Sequence, residues 1–371
     1  MTKIINFEYC PFFIYSVTLH RGKDMVKRLL TTIIIATSAL AASAQEFGVQ
    51  YITEVQTDFE KSTNWMNFLR LDASLNIGKR GSIDFASIHT FKTLDRPVAD
   101  DWQVFSNITN DNLAFGLAVL GYTHQFCDKF KLFAGVRNVN EDYFISDGTG
   151  LFVNSSHGIY PTIAENYPLG NYPLSTLGIH ANWTLNDNWT VQGSLYNGVA
   201  RQLFGPDHGL LDIRKDDGIL LMGDVNYHHD SKLPGTYFAG VSYSNKIHGE
   251  EMTEDKTNFA YWVYGEQSIY KSGDSHVDLM AQFSQNLSVD FGCKRYMGAG
   301  VLLYNILTDK IDNTFGINVN NADYDFGDET VLEATYSLQL TDHIGIQPAY
   351  QRIWNDGGSH NAALLRLNIE F

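Results

Sequence analysis

His360-Asn-Ala-Ala-Leu-Leu-Arg-Leu-Asn-Ile-Glu-Phe371 ends the chain, and its side chains alternate in character. From Ala363 every second residue is apolar (Ala363, Leu365, Leu367, Ile369, Phe371), with Arg366, Asn368 and Glu370 between them. A strand sends successive side chains to opposite faces, so this stretch has one oily face and one charged face. A single strand of this kind suits a soluble sandwich as well as a membrane wall. Its repetition along the chain decides between them.

From Phe47 onward about sixteen segments repeat the alternation, each near the ~9–11 residues that a tilted strand needs to cross a bilayer. Leu69, Leu71, Ala73, Leu75 and Ile77 alternate with Arg70, Asp72, Ser74 and Asn76. Phe130, Leu132, Ala134 and Val136 alternate with Lys131, Phe133, Gly135 and Arg137. The same holds for Leu177, Ile179, Ala181 and Trp183 against Gly178, His180, Asn182 and Thr184, and for Leu332, Ala334, Tyr336 and Leu338 against Glu333, Thr335, Ser337 and Gln339. Between Asn258 and Tyr270 both registers carry aromatics, and the inward face stays open.

The connections give a second signal. Tight turns at Gly78–Gly81, Phe126–Lys129 and Asn186–Asn188 alternate with long connections at Lys92–Asp111, Asn140–Leu174 and Gly198–Asp217. A short His229–Gly235, a medium Asn245–Thr257 and a short Lys271–Ser275 follow. Long loops therefore collect at one end and turns at the other, as in an outer-membrane barrel. Tyr122, Tyr227, Tyr243, Tyr350 and Trp354 fall near segment ends, where interfacial girdles sit. The fold class expected is all-β: a transmembrane antiparallel up-and-down β-barrel of about 16 strands, with long extracellular loops and short periplasmic turns.

No run reaches the roughly 18–20 apolar residues of a spanning helix. The longest apolar run instead reads as an export signal over residues 25–44. Lys27 and Arg28 form its basic start, Leu29–Leu40 its apolar centre, and Ala42-Ser43-Ala44 a small-residue cleavage site. Residues 1–24 then form an upstream extension from a start assigned too early, and 45–371 the barrel domain. An N-terminal anchor helix is the alternative. Five of the 26 basic and two of the 42 acidic residues lie in residues 1–44, leaving 21 against 40, a net charge of −19. Such a chain repels nucleic acid, whose binding rests on phosphate neutralisation. Cys127 and Cys293 stand far apart, outside any metal-ligand spacing, and read as structural thiols. There is no phosphate loop, HExxH or GxSxG, so no enzyme activity, metal or cofactor is expected.

Tyr172-Pro-Leu-Ser-Thr-Leu-Gly178, Asn182-Trp-Thr-Leu-Asn-Asp-Asn-Trp-Thr-Val-Gln-Gly-Ser-Leu-Tyr-Asn-Gly198, Glu333-Ala-Thr-Tyr-Ser-Leu-Gln-Leu-Thr-Asp-His-Ile-Gly-Ile-Gln-Pro-Ala-Tyr-Gln-Arg-Ile353 and the closing strand resemble the carbohydrate-selective porins of the OprB family. The resemblance implies a sixteen-stranded barrel that passes small saccharides by diffusion, narrowed by loops folded inward. The part before Asn64 is short, and no periplasmic extension is expected.

The residues expected to line the pore follow from alternation and from the longest loop. The wall contributes Arg70, Asp72, Arg137, His180, Asn182, Glu333, Gln347, Gln351 and Arg366, with Gln192 and Glu370 on the same inward face. Loop Asn140–Leu174 contributes Glu141, Asp147, Tyr160, Glu165 and Tyr167. Both charge signs occur, so the lumen is no one-signed ion filter. The loop's mixture of acids and aromatics suits a constriction, and a loop this long is uncommon unless functional. An external lid is its alternative. Gly198–Asp217 is placed at the rim. The partners expected are small saccharides and outer-membrane lipid, with a homo-oligomer left open. A general or ion-preferring porin, a barrel enzyme and a secreted sandwich are the competing readings.

Overall fold

The computed structural model describes residues 46–371 apart from 202, 204–208, 212, 249–252, 289–291 and 307–310. The export signal and the segment upstream of it lie outside the described residues.

The strands, in chain order, are β1 Glu46–Thr57, β2 Thr63–Ile77, β3 Gly81–Lys92, β4 Leu113–Cys127, β5 Phe130–Arg137, β6 Thr176–Thr184, β7 Trp189–Asn197 and β8 Ile219–His229. They continue with β9 Gly235–His248, β10 Thr253–Ser272, β11 Ser275–Asn286, β12 Cys293–Tyr304, β13 Asn313–Tyr324, β14 Gly327–Thr341, β15 Ile344–Asn355 and β16 Gly358–Glu370. Each pairs antiparallel with its sequence neighbours, and β1 pairs with β16 from Gln50↔Glu370 to Thr57↔Ala363, closing a barrel. Two backbone bonds of 2.9 Å between Val49 and Phe371 finish the seam. Closure leaves no unpaired edge, which is what lets strands span a membrane. No helix among the described residues is long and apolar enough to cross one.

The connections sort by end as the turn chemistry predicts. Residues 58–62, 93–112, 138–175 and 198–218 lie at one end, and 78–80, 128–129, 185–188 and 230–234 at the other. In the second half the asymmetry fades. The medium connection expected over Asn245–Thr257 shortens because β9 and β10 keep pairing out to His248 and Thr253. The wall is uneven in height, from 8 residues in β5 to 20 in β10.

Outward side chains are apolar and exposed, as Val55, Trp183 and Leu365 show. The inner face is mixed. Arg70, Gln347 and Arg366 point inward, but so do Phe238, Trp262, Met280 and Tyr296, all buried. They are buried because the barrel's core is built between its inner wall and a loop. The ambiguous stretch in β10 resolves the same way: Trp262 and Tyr264 face inward onto that loop, while Tyr261 and Val263 face out. Both faces carry aromatics there because the outer face holds Phe259 and Tyr261 while the inner face supplies Trp262 and Tyr264 to the loop, and the register then shifts between Ser268 and Tyr270.

Candidate permeation site

Residues 138–175 leave β5 and fold into the lumen. The segment is built from short pieces: helical turns at Val139–Glu141 and Ser155–His157, a helix at Asp147–Leu151 and another at Pro161–Ala164. Ser146 caps the first helix, its hydroxyl accepting from Thr149 N while Thr149 Oγ1 accepts from Ser146 N. The aromatics of the loop pack on the aromatics of the wall. Phe144 lies 4.9 Å from Trp262, and Tyr160 stacks on Tyr296 at 5.2 Å. Phe152, Ile163 and Tyr167 join the same cluster.

Burying a loop backbone requires partners for its amides and carbonyls. The wall supplies them with side chains. Glu333 accepts from Val153 N at 2.8 Å and Asn154 N at 3.0 Å. Gln347 donates to Leu151 O at 2.6 Å, Gln351 Oε1 accepts from Asn154 Nδ2 at 3.2 Å, and Glu266 accepts from Gly148 N at 3.1 Å. The buried His157 packs on Phe152 and spans Gln282 and Asn320. A second loop, residues 93–112, is strapped alike. Glu329 accepts from Trp102 N and Gln103 N, both at 2.8 Å. Arg366 Nε donates to Glu54 at 2.6 Å, Glu54 accepts from Ser106 Oγ at 2.9 Å, and Arg366 Nη2 reaches Asn107 at 2.6 Å.

A polar face remains between the start of the long loop and strands β2 and β5 to β8. Arg70 bridges Asp72 and Glu141, with Nη1 donating to Glu141 Oε1 at 2.6 Å and Nε to Asp72 Oδ2 at 2.9 Å. Arg137 donates to Asp142 at 2.6 Å and lies over the Phe133 ring at 4.7 Å. His180 Nδ1 contacts Ser194 Oγ at 2.8 Å, and its Nε2 lies 3.4 Å from Asp142. Gln192 donates to Asp142 O at 2.6 Å and, at 3.4 Å, accepts from Asn182. Burial pushes the Asp142 carboxyl up to about 6, with Arg137 pulling the other way. Arg137 Nε, Asp142 Oδ2, Asp224 Oδ2 and Tyr196 Oη are buried here without a hydrogen-bond partner. The face thus offers donors and acceptors of both signs, already paired with one another in part.

Residues 83–371 match the family model of the carbohydrate-selective porins, OprB family. The chain belongs to this family. It is an outer-membrane porin through which carbohydrate diffuses passively. The high-pH structure of Pseudomonas putida OprB is similar to it with a TM-score of 0.74 at 14% identity, covering 91% of this chain and 96% of that one. The low-pH structure of the same protein gives 0.61 at 14% identity over 91% and 95%. An anion-selective porin from Comamonas acidovorans gives 0.57 at 10% identity over 88% and 98%. At these identities the structural likeness speaks for the barrel alone. No curated protein sequence matches significantly.

Within this OprB-family barrel the wall and loop residues singled out from sequence separate into groups. Arg70, Asp72, Arg137, Glu141, His180 and Asn182 meet on the polar face. Glu333, Gln347, Gln351 and Arg366 point inward as expected but are buried as straps for the loops. Tyr160 and Tyr167 lie inside the apolar cluster, Tyr160 with no exposed surface. Asp147 is exposed at the start of its helix. Glu165 receives the Tyr324 hydroxyl at 3.0 Å, and burial pushes its carboxyl up to about 8.

The described residues of loop 198–218 pack on the barrel wall. Its Leu203 and Leu210 pack with Leu117 and Val136, which the register with Ser87 and Leu120 places on the outer face of β4 and β5. Glu54, Asp224, Glu266 and Glu329 were not singled out, although Glu54 shows the β1 alternation plainly: Val49, Tyr51 and Val55 outside, Ile52, Glu54 and Gln56 inside.

Proposed function

We propose that small neutral saccharides cross this porin along the polar face bounded by Arg70, Asp72, Arg137, Glu141, His180 and Asn182. The observation that supports the reading is the two-signed pairing there: each arginine is matched by a carboxylate on the loop, Arg70 by Glu141 and Arg137 by Asp142. A neutral, hydroxyl-rich solute exchanges hydrogen bonds with such a surface, whereas an ion meets both attraction and repulsion. The loop from 138 to 175 narrows the passage, and no chemical step is involved. We further propose that residues 25–44 direct export and that the mature barrel begins at Gln45.

Liposome swelling with neutral sugars of increasing size tests the reading. Monosaccharides should enter fastest and rates should fall steeply with chain length. Absence of uptake, or uptake indifferent to size, overturns it. A reversal potential strongly biased to one ion would favour a general ion-preferring porin.

A further inference from the structure

At the loop end of the barrel, away from the polar face, an aromatic patch sits among carboxylates. Trp102, from the loop between β3 and β4, meets Phe326 edge-on at 4.9 Å and Tyr324 at 5.7 Å, and Tyr324 stacks on Phe326 at 5.1 Å. Tyr324 is buried as the base, but Phe326 is 50% exposed. Glu329 fixes the position of Trp102 by accepting its backbone N–H. A Cβ on Gly327 would come within 3.0 Å of the Trp102 ring and 2.5 Å of Asp356 Oδ2, which places that carboxylate beside the indole. Asp100, its side chain 72% exposed, lies beside the same turn: a Cβ on Gly357 would come within 3.2 Å of its Oδ2, which is 4.0 Å from His360 Nε2, a nitrogen with no hydrogen-bond partner. No Lys or Arg among the described residues pairs with Asp100 or Asp356.

We infer that this patch is a resting site for a neutral saccharide at the outer mouth, where one sugar ring lies against Phe326 and Trp102 and gives hydroxyl protons to Asp100 and Asp356. The inference rests on the saccharide reading above and adds a second place of contact to it. The chemistry follows from the shape of a pyranose, whose C–H face is apolar and whose edge is a ring of hydroxyls. An exposed aromatic surface rimmed by polar groups is the usual mark of a ligand site. Carboxylates without a cationic partner are the strongest acceptors available for that edge. A rigid ring held by packing loses little freedom when the ligand arrives. The patch lies at the end that faces incoming solute, so it would raise capture at low sugar concentration without closing the passage below.

Blockage of ion current by maltose in planar bilayers, with the sugar added to one chamber at a time, tests this on the full barrel. The wild-type association rate should be higher from the loop end than from the turn end. F326A and D356N alter exposed side chains. Each should lower the loop-end rate about fivefold, with the rate from the turn end and the open-channel conductance unchanged. W102F should retain the rate that W102A loses. A loop-end rate unaffected by F326A and D356N overturns the mouth site while the permeation reading stands. No blockage from either chamber, with no maltose uptake into liposomes, overturns the permeation reading itself.

Discussion

Arg70 and Glu141, 71 positions apart, form a two-point pair: Nη1 donates to Oε1 at 2.6 Å and Nη2 to Oε2 at 3.0 Å. The fork geometry fixes both distance and orientation, so the pair ties the start of the inserted loop to β2 at one angle. Arg137 and Asp142 tie it to β5 one residue further on. Two fixed points in succession set the path of the loop's first turn against β2 and β5, and the proposed passage runs along that edge.

Charge removal from this edge should shift ion preference in opposite directions. R70A leaves Asp72 and Glu141 uncompensated and should move the reversal potential in a salt gradient toward cations, whereas E141Q should move it toward anions. Equal reversal potentials for the two variants would show that neither residue borders the ion path.

As pH falls below about 6 the channel's ion selectivity should shift toward anions. Burial holds the Asp142 carboxyl up at about 6, above its ordinary 3.8, so the native state binds the extra proton between these values. The corresponding stability is fully present below about 3.8 and is lost as pH rises through about 6. Arg137, His180, Glu141 and Asp224 surround the group. Selectivity measured against pH should step near 6 in the wild type and lie flat there in D142N.

Glu333 holds two loop amides with one carboxylate, so E333A strands both in a buried site. Hydrogen bonds to a charged group are worth about 1.5–3 kcal/mol each, and the variant should show a flickering open current and faster proteolysis within 138–175. E333Q keeps one acceptor and should fall between. A steady E333A current would show that the apolar cluster alone holds the loop.

Trp262 fills the space between the wall and Phe144. W262A should cost about 3–5 kcal/mol, as large core truncations do, lowering the thermal midpoint and raising conductance as the loop loosens. W183A, on the exposed outer face, serves as the control and should leave conductance unchanged.

The barrel was legible in the sequence because strand alternation is a local property. Leu365, Leu367 and Ile369 against Arg366, Asn368 and Glu370 fix which face is wet without reference to any other strand. The same local rule placed Arg70, Arg137 and His180 inward, and the loop lengths identified the segment that would enter. Wet and inward are nevertheless different conditions. Glu333 and Asp72 carry the same signal in one dimension, yet Glu333 lies under a buried loop and Asp72 remains 41% exposed. That division is made by contacts between segments nearly 200 positions apart, such as Gln347 with Leu151. The inserted loop must bury its aromatics and satisfy its backbone, so it takes the wall side that offers Trp262, Tyr296 and a row of carboxylates, and leaves Arg70 and Arg137 partly exposed. Periodicity in the chain determined a cylinder with a polar inside; only the folded arrangement decided which part of that inside the loops cover.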